Sequence, residues 1–150
     1  CATGRAFSRG EAAGRAGDWD AAVGFYRQAL EDDPDRPDYQ IALERAMVAA
    51  AAADGVIDDE ERAQMLKRAG DAGFDDETRR FLEGELANPK SLAVIIASSR
   101  PELATDIYAA SCAAIVADTD AERAYLETLG RRLGLSEESR TEIHRQLDLT

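Results

Sequence analysis

The chain has 150 residues, a formal net charge of −12 at pH 7 and only 6% aromatic residues. A chain of this length folds as one domain, or as one domain with a small appendage, and buries a core without disulfides. The negative charge argues against a nucleic-acid partner and against docking on anionic lipid, because both require a basic surface. It suits divalent cations, basic partners, or a solvated acidic surface that binds nothing.

Apolar residues recur at helical spacing and nowhere alternate with a period of two, so the sequence predicts an all-α protein. Pro37 and Pro101 fall in the first turns of helices, and Gly73 and Gly134 fall at helix ends. The predicted helices span residues 5–15, 19–31, 37–53, 58–71, 75–87, 90–98, 101–117, 119–133 and 136–148. No apolar run approaches the roughly 18 residues of a membrane span, which predicts no transmembrane segment.

Residues 1–36 are predicted to form a first domain, a helical hairpin that resembles the tetratricopeptide type. The residues at that repeat's spacing are Gly10, Gly17, Ala22, Tyr26, Ala29 and Pro34. Small residues allow two antiparallel helices to approach closely, Tyr26 fills the groove between them, and Pro34 ends the second helix. A second repeat is not favoured, because Glu44 stands where a small residue is expected. One such hairpin cannot bury its own apolar face, so we expect it to pack on the rest of the chain or on a partner.

Residues 37–150 are predicted to form a second domain, a helical bundle with two internal repeats. The Glu-Arg pair at 61–62 recurs at 122–123, an offset of 61 residues that also relates glycine and apolar positions farther along. Upstream, the Ala-Asp pair at 53–54 corresponds to 117–118, with three fewer residues in the second turn. Each repeat is a helix, an acidic turn, a helix, a glycine turn and a helix. Two such repeats pack most simply as a pseudo-symmetric bundle.

The first acidic turn matches half of the calcium loop found in helix–loop–helix proteins. Asp54 falls at loop position 5 and Gly55 at the sharp-turn position 6. Asp58 falls at position 9 and Glu61 at the bidentate position 12. Hard cations require several oxygens around one point, and this spacing wraps carboxylates around a turn. Positions 1 and 3 are alanines, so a cation needs further oxygens from elsewhere.

The second copy of the turn supplies further carboxylates. The candidate metal ligands are therefore Asp54, Asp58, Glu61, Asp118, Asp120 and Glu122. If the two turns converge in the folded protein, they favour Ca²⁺ or another divalent cation, and the sequence leaves open whether they converge. The alternative is that both turns are only helix caps, because Asp58-x-x-Glu61 and Thr119-x-x-Glu122 fit capping boxes. The two interpretations differ at Asp54, which a cap that begins at Asp58 does not use.

Four stretches of the bundle, residues 45–62, 102–111, 118–127 and 133–135, carry a resemblance to a known family. Over residues 41–148 the chain resembles the tellurite-resistance TerB-like superfamily, nearest its YebE-like branch. This resemblance implies an all-helical fold, acidic residues that bind cations, and a role in bacterial envelope or stress complexes. The first segment, led by Cys1, is similar to the mature start of bacterial lipoproteins and secretin-associated proteins. That similarity implies a lipid anchor at Cys1 and a membrane-associated or periplasmic protein, with the cytoplasm as the alternative; no lipobox lies within the chain.

No motif in the sequence indicates catalysis. His144 is the only histidine, and no nucleophile motif, phosphate loop or dinucleotide fingerprint is present, so we expect a protein that is not an enzyme. We expect His144 to be an exposed helical residue and Cys112 to be a core residue. Trp19 and Tyr26 are expected to pack within the hairpin, or alternatively to line a peptide-binding groove.

The sequence therefore predicts a TerB-like module that binds a divalent cation through duplicated acidic turns and scaffolds protein partners or self-associates. The alternative function is a protein interaction module without a metal, in which the acidic turns are helix caps.

Overall fold

The computed structural model describes residues 8–32, 37–53, 57–115 and 120–147, and over these ranges it contains helices and turns but no strand. The elements are α1 (Ser8–Asp32), α2 (Pro37–Ala51), α3 (Asp59–Asp71), α4 (Asp76–Ala87), α5 (Leu92–Ser98), a 3-10 turn (Pro101–Leu103), α6 (Ala104–Ala114), α7 (Asp120–Arg132) and α8 (Glu137–Gln146). The predicted all-α fold class is confirmed. None of the helices in these ranges is long and apolar enough to cross a membrane.

Two helices, α2 and α6, lie at the centre of the bundle. All residues over 46–51 of α2 and over 107–114 of α6 are buried, and many of them are alanine. A helix that is buried on all sides must be surrounded by other helices, and small side chains allow these neighbours to approach closely. The two central helices pack against each other, and α1 packs on both of them. α4 and α5 cover α2, whereas α7 and α8 cover α6.

The two central helices run side by side in the same direction. Arg100 directly precedes the 3-10 turn and α6, and its Nη2 donates a hydrogen bond of 2.9 Å to Oδ2 of Asp38 at the start of α2. Residues from the first halves of both helices, Ile41 and Ala42 of α2 and Ile107 of α6, line one shared groove. Because both helices begin at this end of the bundle, both finish at the opposite end.

The two halves of the bundle repeat the same local structure. The bounds of α3 and α7 differ by 61 residues (59 to 120 and 71 to 132), and so do the starts of α4 and α8. Both α3 and α7 are followed by a glycine with positive φ, Gly73 at 102° and Gly134 at 82°. The residue after each glycine donates its N–H to a carbonyl five residues back, with N–O distances of 3.1 and 3.0 Å. This is a Schellman ending, which requires the left-handed conformation that glycine adopts without strain.

The predicted N-terminal hairpin is wrong, because one continuous helix spans Ser8–Asp32. Gly17 does not break it, since a glycine inside a helix costs only about 1 kcal/mol relative to alanine. The buried stripe of α1 continues through Trp19 and Tyr26, which pack on the bundle rather than within a hairpin. The Trp19 indole, for example, donates a hydrogen bond of 3.1 Å to the carbonyl of Met65 in α3. From Trp19 onward, α1 therefore packs on the bundle instead of on a partner helix of a hairpin.

The other predicted helices form with small shifts at their ends. The helix predicted from residue 90 begins at Leu92, because Ser91 caps it by accepting a hydrogen bond from the N–H of Val94. The helix predicted from residue 101 opens as a 3-10 turn before α6 begins. Cys1 and Pro34, which the sequence singled out, lie outside the described residues.

Candidate functional site

The predicted cation ligands that the structure describes lie beyond the C-terminal ends of α2 and α6. Asp58 is the N-cap of α3, and Glu61 lies in its first turn. Asp120 and Glu122 lie in the first turn of α7. α2 and α6 finish at the same end of the bundle, and packed helices lie about 8–10 Å apart. The helices that come next in the chain, α3 and α7, both have acidic first turns. We call the end at which α2 and α6 finish the acidic end.

Asp58 and Glu61 form a complete capping box. Oδ1 of Asp58 accepts a hydrogen bond of 2.8 Å from the N–H of Glu61, and Oε1 of Glu61 accepts one of 3.0 Å from the N–H of Asp58. Each carboxylate thus satisfies a backbone donor that the first turn of a helix leaves without a partner. The capping box that the sequence predicted for the first turn is therefore confirmed.

The second copy of the acidic turn is described only from Asp120 onward. Asp120 is exposed and forms an ion pair of 2.5 Å with Arg123, as Asp59 does with Arg62 in the first copy. Among the residues that the structure describes, no three His, Cys, Asp or Glu side chains lie close enough together to hold a metal ion. Four residues of the predicted arrangement lie outside the described ranges: Asp54, Gly55, Asp118 and Thr119.

A buried polar cluster between α1, α2 and α4 was not predicted from the sequence. Glu44 of α2 is 3% exposed, and its Oε2 accepts a hydrogen bond of 3.0 Å from the hydroxyl of Tyr26 in α1. Burial raises the pKa of Glu44 to about 8, and the negative charges of Glu85 and Asp75 act in the same direction, whereas the Tyr26 hydrogen bond opposes them. The available signal was the position of Glu44 itself, one helical turn before the apolar Met47 and Val48, which was interpreted only as a departure from a repeat pattern.

Glu85 of α4 is the second buried carboxylate of this cluster, and it is 5% exposed. Its Oε2 lies 3.0 Å from Nζ of Lys90 and 3.6 Å from Nε of Arg45. The Arg45 guanidinium also lies over the ring of Phe81, 5.6 Å from its centroid. Among the described atoms, Oε1 of Glu44 and Oε1 of Glu85 are buried without a hydrogen-bond partner. Buried polar atoms are nearly always hydrogen-bonded in proteins, so these two oxygens require a physical explanation.

A second polar group joins α6 to α8. The Tyr108 hydroxyl and Nε2 of His144 are 2.8 Å apart, and Tyr108 also hydrogen-bonds the Cys112 thiol one turn along α6. His144 is half-buried, so the prediction of an exposed histidine is wrong. Burial lowers the pKa of His144, and the positive charge of Arg140 lowers it further. Burial also raises the pKa of Cys112 to about 12, which keeps this thiol protonated and unreactive near neutral pH.

A shallow groove of about 300 Å³ lies between α2, α5 and the start of α6, at the end opposite the acidic end. Its apolar lining includes Ile41, Ile95 and Leu103. Ile41 is 38% exposed, and Val94 on the neighbouring α5 is 44% exposed. They are the exposed large hydrophobic side chains of the described residues.

The chain belongs to a family described as "Protein of unknown function (DUF533)", which it matches over residues 4–147. No curated protein and no solved structure is detectably similar to it.

Proposed function

We propose that this chain is a TerB-like module that is not an enzyme, and that it binds a divalent cation at its acidic end and scaffolds protein partners in the bacterial envelope or in a stress response. The observation that supports this proposal is the parallel packing of α2 and α6. From the shared direction of these two helices we infer that the acidic starts of α3 and α7 lie toward one end of the bundle rather than at opposite ends. Carboxylates gathered on one face create a negative potential that concentrates cations near it.

A second candidate function is a protein interaction module that binds no metal. The complete capping box at Asp58 and Glu61 favours it, because each carboxylate already accepts a backbone hydrogen bond. Bidentate ligation by Glu61 would require Oε1, which now accepts the hydrogen bond from the N–H of Asp58. A cation at this turn therefore competes with the cap, and the acidic end would instead attract a basic protein.

Thermal unfolding of the intact chain, with and without millimolar Ca²⁺, Mg²⁺ or Mn²⁺, tests the first function. A cation that binds the folded state at ten times its Kd stabilises it by about 1.4 kcal/mol, which raises the melting temperature by several degrees. The double substitution Asp54→Asn with Asp118→Asn should abolish the shift and leave the caps at Asp58 and Asp75 in place. Asp58 and Glu61 are poor test positions, because their loss also removes a helix cap.

Glu138→Gln is the matched control for this experiment. Glu138 is an exposed carboxylate in the first turn of α8, and α7 separates it from Asp120 by about 20 Å. This variant should keep the full cation shift. A wild-type chain whose melting temperature does not respond to any of the three cations would rule out the first function.

The second function is tested on the same intact chain, because α1 is part of the core and cannot be removed. Light scattering should then detect an oligomer, or a complex with a basic peptide, that persists in EDTA and weakens as salt is added. The Asp54→Asn and Asp118→Asn pair should weaken a complex with a basic peptide, and Glu138→Gln should weaken it less. A chain that stays monomeric and does not bind the peptide would exclude this function.

A further inference from the structure

The buried carboxyl of Glu44 has a neutral hydroxyl as its partner and no cation. Its Oε2 accepts a hydrogen bond from Tyr26, and its Oε1 has no partner among the described atoms. In the described part of the chain, no lysine, arginine or histidine forms an ion pair with it. An ionised carboxylate that is buried without a cation is strongly disfavoured, and such a group normally keeps its proton instead.

The charges around Glu44 strengthen this preference. The negative charges of Glu85 on α4 and of Asp75 at the N-cap of that helix both raise the pKa of Glu44. The two cations of the cluster, Lys90 and Arg45, both lie against Oε2 of Glu85. Glu85 is therefore the carboxylate whose negative charge is compensated. Two carboxyl groups in one buried interface cannot easily both ionise, so the one without a cation retains the proton.

We propose that Glu44 is a proton-operated latch: it remains a neutral carboxylic acid while α1, α2 and α4 are packed together, and loss of its proton loosens α4 from α2. The proton converts Oε1 of Glu44 from an acceptor into a donor. Oε1 of Glu85, the other buried carboxylate oxygen without a partner, is the matching acceptor in the same interface. Ionisation removes that donor and leaves two negative carboxylates facing each other.

The direction in which stability changes with pH follows from the proton affinity of Glu44 in the folded state and in the unfolded state. Burial raises the pKa of Glu44 from 4.5 to about 8 in the folded protein, so the folded state binds the proton more tightly than the unfolded state. The stability contributed by this proton is fully present below pH 4.5 and is lost as the pH rises toward 8. For one proton, the unfolding equilibrium constant rises at most about tenfold per pH unit within this window.

Carbon-detected NMR of side-chain carboxyls measures the proton on Glu44 directly in the intact chain. We expect its titration midpoint to lie at least two pH units above 4.5, the ordinary value of a glutamate. Tyr26→Phe should raise the midpoint, because the hydrogen bond that it removes favours the ionised form of Glu44. Glu85→Gln should lower the midpoint, because it removes a nearby negative charge. A Glu44 that titrates near 4.5, or whose midpoint shifts in the opposite direction in both variants, would overturn the proposal.

Chemical denaturation between pH 5 and 8 measures what the proton does to the fold. Glu44→Gln copies the neutral acid in shape and in its capacity to donate, so its unfolding constant should rise less steeply between pH 5 and 8 than that of Glu83→Gln, which retains the Glu44 carboxyl. Amide hydrogen exchange of α4 in the wild-type chain should accelerate above pH 7 beyond its intrinsic increase, and in Glu44→Gln it should not. If the two variants share the same pH dependence in both measurements, Glu44 is not a latch.

Discussion

The two halves of the bundle place a buried polar side chain at the same position and then use different chemistry. An offset of 64 residues relates Pro37 to Pro101 at the helix starts, and it relates Glu44 to Tyr108. Both side chains are buried on a central helix. Glu44 interacts with the carboxylate of Glu85 on α4, whereas Tyr108 hydrogen-bonds the imidazole of His144 on α8. A repeated backbone thus holds two carboxyl groups in one half and a tyrosine–histidine pair in the other.

This difference determines how each half responds to pH. The raised pKa of Glu44 makes the first half less stable as the pH rises. The pKa of His144 is lowered by burial, so the second half becomes less stable as the pH falls below the ordinary histidine value of 6.5. The sequence repeat therefore does not make the two halves functionally equivalent.

The largest expected effects come from the equivalent core positions Leu82 of α4 and Ile143 of α8. Substitution of either residue by alanine should destabilise the protein by roughly 2–5 kcal/mol, through lost burial and the cavity that remains. Leu82 is 0% exposed and Ile143 is 5% exposed, so Leu82→Ala should have the larger effect. Urea denaturation measures both. Equal losses of unfolding free energy would show that the two halves are packed equally well. A larger loss for Ile143→Ala than for Leu82→Ala would contradict the expected order.

Glu85→Gln should have the next largest effect, because it leaves the positive charges of Lys90 and Arg45 without a compensating carboxylate. Loss of one partner of a buried pair is usually worth about 3–5 kcal/mol. Lys90 and Arg45 remain 25% and 36% exposed, so solvent reduces the expected loss to roughly 1–3 kcal/mol. The equivalent residue of the second half is Gln146, which is exposed. Gln146→Ala should change the free energy of unfolding by less than about 0.5 kcal/mol, and denaturation curves of the two variants test the contrast.

Two glycines near the ends of α3 and α7 should respond to alanine in opposite ways. A Cβ at Gly130 would overlap Cδ of Arg140 and lie 3.0 Å from Cε1 of the buried Tyr108 ring. Gly130→Ala should therefore destabilise the protein by roughly 1–3 kcal/mol. A Cβ at Gly70 would meet only the flexible end of Arg79, at 2.9 Å from Nη1. Gly70→Ala should be neutral or stabilise by up to about 1 kcal/mol. Thermal unfolding distinguishes these outcomes, and a destabilised Gly70→Ala would show that Arg79 is fixed in place.

The smallest expected effect is at the Tyr108–His144 hydrogen bond. Tyr108→Phe removes the hydrogen bond to the half-buried His144, together with a weaker one to the Cys112 thiol, and should cost about 0.5–1.5 kcal/mol. His144→Gln should flatten the loss of stability on the acidic side of pH 6.5, because the group that gains a proton on unfolding is absent. Denaturation at pH 5 and pH 7 measures both effects. A stability difference between these pH values that is unchanged in His144→Gln would assign the acid response to other groups.

Local signals in the sequence predicted the elements that depend on a few neighbouring residues. Gly73 and Gly134 mark the ends of α3 and α7, because only glycine adopts the left-handed conformation there without strain. The cap at Asp58 and Glu61 could also be predicted from the sequence, because its two hydrogen bonds join residues only three positions apart. The repeat offset of 61 then predicted how the two halves correspond.

Interactions between residues far apart in the chain could not be predicted from such local signals. The sequence did not predict that α1 is continuous, because α1 is held by packing on the bundle. One example is the hydrogen bond from the Trp19 indole to the carbonyl of Met65, 46 residues away. The pair of Tyr108 and His144 is 36 residues apart, and the sequence contains no pattern that joins them. The pairing of Glu44 with Glu85 depends likewise on how α2 packs against α4.

The sequence by itself determined that this protein is helical, where most helices begin and end, and that its second part is duplicated. These properties follow from backbone propensities, caps and apolar periodicity, which act over a few residues. Only the tertiary structure decided that α2 and α6 run in parallel, and that the carboxylates of Glu44 and Glu85 are both buried. Those properties depend on which helix faces meet, and the free energy of that packing is shared among residues far apart in the chain.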